Sequence, residues 1–352
     1  MSLESWRAPA IERREGGLDG GLGLFAVEDI DENQLLAIRG GRLVTEDVIK
    51  ANADIINGSH FQLAPNLFST GLTPEEVDKT LIGYNHSCEP NAYVDGNILL
   101  RSMRSIEEGE EITVEYATYF SSDTQEFDCQ CGSEHCRGHI KPSLDSTDPE
   151  IRDRYDGYFA DFLARPEAYA GVQLQPMDPE SAVSSWLSTK AERVMDSSIH
   201  SLGLLAVDSI QAGELLAVKG GRLMTAGEVK ANQGIIQGSE VQITQDMFMA
   251  GLNEQERLAA LLGFNHRCYE PNAIMRRQIS IFALTDIKAG DELTEEYATA
   301  FISPTQKFDC RCGAPNCRRQ VDTTVDWRRP ELQAKLPFVD FIQERIRQEA
   351  TV

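Results

Sequence analysis

The chain has 352 residues, with 33 Lys and Arg against 56 Asp and Glu, a formal net charge of −23 at pH 7. That balance disfavours nucleic acid and anionic membranes, which need a basic footprint, and permits attraction to a basic protein or peptide. No apolar run approaches a membrane span, and Met1 to Arg7 has no apolar core like a signal peptide, so an intracellular, soluble protein is expected, cytoplasmic with the nucleus left open.

In chain order, residues 24–27 and 34–38 are short apolar runs bounded by Gly, Asp and Glu and read as strands. Residues 26–33 read as a strand, a turn and a return strand, and Gly40-Gly41 breaks the next one. Residues 45–52 and 73–82 read as short helices, each opening on a Thr that can cap, the second with Pro74 at its first position. Residues 97–101 and 110–115 read as strands again. Beyond Asp148-Pro149, the positions Ile151, Tyr155, Tyr158, Phe159, Phe162 and Leu163 fall at helical spacing and predict a trailing helix packed on the core. Residues 171–181, with Gly171, Pro176 and Pro179, read as a linker.

The chain then repeats itself. Trp6 recurs as Trp186, and Leu22-Gly23-Leu24 as Leu202-Gly203-Leu204, a shift of 180; after one inserted residue near Tyr269 the shift is 181, so that Glu115-Tyr116 recurs as Glu296-Tyr297. This is duplication of a whole domain: residues 1–170, the linker 171–181, and residues 182–352. In the second copy Pro330 is expected to start a helix that includes Leu332, Phe338, Phe341 and Ile342.

Each copy carries four of the eight cysteines: Cys88 with Cys129, Cys131 and Cys136, then Cys268 with Cys310, Cys312 and Cys317. In a reducing compartment these are expected as metal ligands rather than disulfides. Four thiolates complete the tetrahedral shell of a structural zinc ion and leave no open position for catalysis.

Three further motifs occur in the same order in both copies. The first is Gly21-Leu22-Gly23, which becomes Ser201-Leu202-Gly203 in copy two. The second is Asn85-His86-Ser87-Cys88-Glu89-Pro90-Asn91, matched by Asn265-His266-Arg267-Cys268-Tyr269-Glu270-Pro271-Asn272. The third is a strand-like run ending in Tyr116 or Tyr297. Jointly and in order, these resemble the signature of SET-domain lysine methyltransferases followed by a post-SET cysteine cluster. The resemblance implies two tandem, mainly β domains of the SET (β-clip, pseudoknot-like) fold with short helices, each with a zinc-binding post-SET segment and a trailing helix. It implies S-adenosylmethionine held by Gly21, Leu22, Gly23, Asn85 and His86, and in copy two by Leu202, Gly203, Asn265 and His266. It implies Tyr116 and Tyr297 as catalytic residues for methyl transfer to a protein lysine.

Departures from the family are specific. A second active-site Tyr, often first in a Tyr-x-Gly triplet, is replaced in Ile38-Arg39-Gly40 and Val218-Lys219-Gly220. The residue two before the catalytic Tyr, often Phe or Tyr, is Val114 or Glu295. Copy one is therefore the better enzyme candidate, and copy two is expected to be degenerate. Two other classes stay open: a binding or scaffold protein that has lost catalysis, and an enzyme that uses the same pocket on a small molecule.

Overall fold

The computed structural model describes residues 3–18, 20–200, 202–236 and 238–350. It consists of two compact units, Met1–Pro166 and Glu167–Val352. Residues 171–181 do not form a free tether in it: Leu174–Pro176 pairs antiparallel with Trp186–Ser188 inside unit 2.

Unit 1 is mainly β. A six-stranded sheet runs in the order Trp6–Arg7, Leu35–Ile38, Leu99–Ser102, Ala92–Asp95, Thr113–Val114, Asn85–His86. Leu36, Ala37, Ile38, Leu100 and Val94 are almost wholly buried in it, each large side chain contributing about 1.5–3 kcal/mol by leaving water. A hairpin of Ile11–Glu15 and Leu22–Ala26 and a small sheet of Arg42–Val44, Leu67–Thr70 and Phe61–Ala64 flank it.

The pairing that organises the site is short and parallel. Thr113 lies beside Asn85 and Val114 beside His86, so the strand leading to Tyr116 runs alongside the Asn-His pair. Two residues of ladder are held in place by an amide clamp: Asn91 Nδ2 donates to Glu111 O at 2.8 Å, and the Thr113 N–H donates to Asn91 Oδ1 at 2.9 Å. Unit 2 repeats the parallel pair as Asn265–Thr294 and His266–Glu295, and Asn272 repeats the clamp at 2.9 and 2.8 Å.

Helix starts follow local chemistry. Thr73 accepts from the Glu76 N–H with Pro74 in the first turn, and Asp148 accepts from the N–H groups of Glu150 and Ile151. Thr45 precedes the helix Glu46–Ala51 without a side-chain cap. The trailing helices differ from expectation. In unit 1 the single expected helix is broken into Pro149–Arg154 and Asp161–Ala164, because the chain turns at Gly157, whose φ of +85° favours glycine. In unit 2 it is broken into Pro330–Gln333 and Asp340–Ala350, with Pro337 between them unable to continue a helix. The expected return strand after residue 26 is also absent as a hairpin; Ile30 instead bridges Ile106.

Candidate active site and metal centres

The four thiols of each copy come together. The Sγ atoms of Cys88, Cys129, Cys131 and Cys136 all lie within 4.8 Å of one another, and so do those of Cys268, Cys310, Cys312 and Cys317. The 3.8 Å between Cys268 and Cys310 Sγ is what Zn–S bonds of about 2.3 Å at tetrahedral angles give. The inserted residue of unit 2 does not disturb this: Tyr269 adopts φ +63°, its N–H donates to Glu296 Oε2, and Cys268 stays in the cluster. The tetrads could hold zinc, and the all-sulfur donor set suits that metal.

Behind each tetrad lies a buried polar bridge. The Tyr116 N–H donates to His86 Nδ1 at 3.3 Å, and His86 Nε2 lies 3.3 Å from Cys88 Sγ. Burial, with Arg137 nearby, pushes the imidazole down to about 4 against the pull of Glu115. A neutral ring accepting at Nδ1 carries its proton on Nε2 and donates it towards sulfur. Glu115, itself buried, takes two bonds from the Arg137 guanidinium at 2.7 and 2.9 Å, and the Arg137 N–H reaches Cys88 Sγ at 3.5 Å. Unit 2 repeats the bridge through His266, Cys268, Glu296 and Arg318.

The sequence motif alone gives no sign that the His86 ring points inward. Both of its nitrogens are occupied by protein, so any cofactor contact at this position falls to its backbone. Asn85 does sit at the Gly-rich loop. Its Nδ2 donates to Leu22 O at 3.0 Å and to Glu111 Oε1 at 2.8 Å, and the Leu18 N–H donates to Glu111 Oε2 at 2.8 Å. Gly23 is needed there, because a Cβ would lie 2.6 Å from Glu111 Oε1 and 3.0 Å from the Cα of Gly17. Asn265 repeats these contacts with Leu202 O and Glu292, and adds Ser197 Oγ at 3.0 Å; a Cβ on Gly203 would meet Ser197 at 2.7 Å. Ser201 lies outside the described residues. Glu111 and Glu292, in the run before each tyrosine, fasten the loop to the Asn.

Two further tyrosines gather around Tyr116. The rings of Tyr84 and Tyr119 stand edge-on to Tyr116 with centroids 6.5 and 5.6 Å away, and 6.1 Å from each other. Phe120 and Phe127 close the cluster at 6.0 and 5.7 Å. Burial pushes the Tyr84 and Tyr119 phenols up, so both remain protonated at neutral pH. The buried Arg39 guanidinium, lowered by burial to about 10 and thus still charged, donates to Thr80 O, Ser59 O and Ser69 O and acts on both phenols. In the sequence Tyr84 stands directly before Asn85 and Tyr119 three residues after Tyr116, away from the Tyr-x-Gly position.

Unit 1 also carries a cleft of about 560 Å³ lined by Glu46, Lys50, His60, Ser122, Asp123 and Thr124 among others. His60 connects it inward, its ring edge-on to Phe120 at 5.5 Å. Among the described residues no helix is long and apolar enough to cross a membrane.

The SET domain family model matches residues 21–117 and 201–298, together more than half of the chain. The chain belongs to the SET domain family, and it carries the domain twice. Among curated proteins it is 28% identical over 130 residues to human histone-lysine N-methyltransferase 2D, covering 33% of this chain and 2% of that protein. It is 30% identical over 166 residues to the Schizosaccharomyces pombe histone-lysine N-methyltransferase, H3 lysine-4 specific, covering 42% and 17% respectively. The Saccharomyces cerevisiae protein of the same description is 29% identical over 132 residues, covering 35% and 12%. The matched segments are thus a small part of the length of these relatives.

Proposed function

We propose that unit 1 transfers a methyl group from S-adenosylmethionine to a lysine amine of a basic protein or peptide, with Tyr116 as its catalytic residue. The observation that carries this reading is the cluster of Tyr84, Tyr116 and Tyr119. It gives an aromatic wall with hydroxyls around Tyr116, which opens the turn just beyond the Thr113–Val114 strand. The names of the relatives and the net charge of −23 support a basic substrate.

When bound, the cofactor would supply an electrophilic methyl on a cationic sulfur. Asn85 fits its amino acid end: both Nδ2 hydrogens are used by Leu22 O and Glu111, which leaves Oδ1 as an acceptor for an ammonium group. The Gly21-Leu22-Gly23 loop, tied to Asn85 and Glu111, would present backbone to the rest of it.

Most of the work assigned to the chain is positioning. A lysine amine must be neutral to act, and at pH 7 deprotonation costs roughly 4–5 kcal/mol from a pKa near 10.4. Burial among Tyr84, Tyr116, Phe120 and Phe127, with the Arg39 charge behind them, disfavours the ammonium form and lowers that cost. The Tyr116 hydroxyl would orient the neutral lone pair, and the cleft beside His60 would seat the flanking peptide.

The test is single-turnover transfer from labelled cofactor to substrates drawn from a proteome-wide screen. Tyr116→Phe should slow transfer by about 100-fold or more with cofactor affinity little changed. Full activity in Tyr116→Phe would overturn the assignment. Cofactor binding without transfer to any protein would favour the small-molecule reading, and no cofactor binding the scaffold reading.

A further inference from the structure

The two four-cysteine clusters match in sequence but not in cover. In unit 1 Cys88 and Cys129 are buried, and Cys131 and Cys136 are half-buried. In unit 2 Cys312, the counterpart of Cys131, is buried along with Cys268 and Cys310. The ion pair behind each cluster differs in the same sense. The Arg137 side chain is 22% exposed where it meets Glu115, and the Arg318 side chain 4% exposed where it meets Glu296.

The added cover in unit 2 includes Tyr269, at the one-residue insertion that separates the copies. Its ring packs against the group formed by Cys268, Cys310 and Cys312, and its centroid lies 5.1 Å from the guanidinium carbon of Arg318. Its N–H donates to Glu296 Oε2 at 3.3 Å, and its hydroxyl donates to Glu331 Oε1 at 3.3 Å. The ring is thus fastened to the ion pair on one side and to the helix Pro330–Gln333 on the other. The backbone there has φ +63°, which glycine would adopt with less strain. The turn alone does not call for an aromatic residue; the side chain does. In unit 1 Glu89 follows Cys88 directly, and its half-exposed carboxylate lies 3.5 Å from the exposed ring of His135.

The less covered centre is also the one beside the proposed catalytic residue. His86 ties Cys88 to the Tyr116 N–H, whereas unit 2 has Phe264 and Ala300 for Tyr84 and Tyr119, and Glu295 for Val114. We propose that Tyr269 is a cover that makes the zinc centre of unit 2 permanent, and that unit 1, which lacks it, exchanges zinc with solution and ties transfer to zinc supply. The first half concerns metal release alone; the second rests on the transferase reading of unit 1. The step is ligand exchange: a chelator takes the ion, the freed thiolates take protons from water, and no electrons move.

The experiment mixes the zinc-loaded full chain with excess 4-(2-pyridylazo)resorcinol and follows the coloured complex with time. Two phases of about one zinc each are expected, the first about ten-fold faster or more. Cys131→Ser should remove only the fast phase. Tyr269→Gly suits the backbone and deletes the ring, so it should speed the slow phase about ten-fold, with the circular dichroism of the loaded chain unchanged. Tyr269→Phe keeps the ring over Arg318 and should release zinc at close to the wild-type rate. A single phase for both ions, a slow phase unchanged in Tyr269→Gly, or one speeded equally by Tyr269→Phe would each overturn the cover. Single-turnover transfer should fall with the fast phase, and transfer that survives it would overturn the tie to zinc supply. Transfer absent from the start would refute the reading of unit 1 and leave the release result standing.

Discussion

The backbone N–H of Tyr116 is hydrogen-bonded to the ring of His86 at 3.3 Å, and the far nitrogen of that ring faces the sulfur of Cys88. Three residues thus link the cysteine cluster to the tyrosine proposed for catalysis. Groups that orient metal ligands typically change metal affinity 10–100-fold when removed. His86→Phe keeps an aromatic ring of similar reach and removes both bonds. It should weaken zinc binding to unit 1 by a factor in that range, measured by competition with a chelator, and slow transfer, while unit 2 keeps its metal.

Freshly purified protein should contain about two zinc ions per chain by elemental analysis, one for each four-cysteine cluster. Cys131→Ser should reduce this to about one and unfold the segment around Phe127–Asp128 and His139–Ile140, because a structural zinc contributes directly to folding. A value below about 1.5 in the wild type would contradict the prediction.

Cofactor affinity should be unequal between the units. Asn85→Ala should remove most binding and Asn265→Ala little, because in unit 2 Ser197 accepts from Asn265 and donates to Glu292, contacts that Gly17 cannot make in unit 1. Calorimetry with S-adenosylmethionine counts the sites; equal losses from the two substitutions would refute the asymmetry.

Tyr84→Phe and Tyr119→Phe should each reduce transfer several-fold, the worth of a neutral hydrogen bond of about 1 kcal/mol. Their rings are in contact, so the costs of the two substitutions should not simply add in the double variant. The matching changes in unit 2 already exist, so Phe264→Tyr should not create activity while Glu295 remains.

Glu295 sets a pH dependence of definite sign. Burial raises its carboxyl to about 8 from the usual 4.5, so the folded chain binds this proton more tightly than the unfolded chain. Its contribution to stability is fully present below pH 4.5 and is lost as pH rises to 8, at roughly 1.4 kcal/mol per pH unit. His266 acts oppositely: burial lowers it to about 4, and stability is lost as pH falls from 6.5. Denaturant unfolding of wild type and Glu295→Gln from pH 5 to 8 separates them, since only the Glu295 slope disappears in the variant.

Much of this was legible in the residues. The duplication, the cysteine set and the Asn-His and tyrosine motifs are local patterns whose order alone defines the fold. The long-range features were not. That the His86 ring turns towards Cys88 depends on the parallel register of Val114 against His86, which no single-chain pattern reports. Apolar spacing after Asp148 predicts one continuous helix because it is insensitive to a single Gly157 at positive φ. Tyr84 meets Tyr116 through tertiary folding, which no spacing in the sequence reports.

The cysteine clusters also bear on how the chain is made. Two equivalent sets of thiols in one polypeptide could exchange members, and a zinc ion bound by a mixed set would trap a misassembled protein. Each set here is contiguous in the chain: Cys88 to Cys136 closes before Cys268 begins the next. At ribosomal speeds of about 5–20 residues per second, the first set has emerged whole seconds before the second exists. The order of synthesis itself sorts the ligands, and a refolding experiment started from the full denatured chain forfeits that advantage.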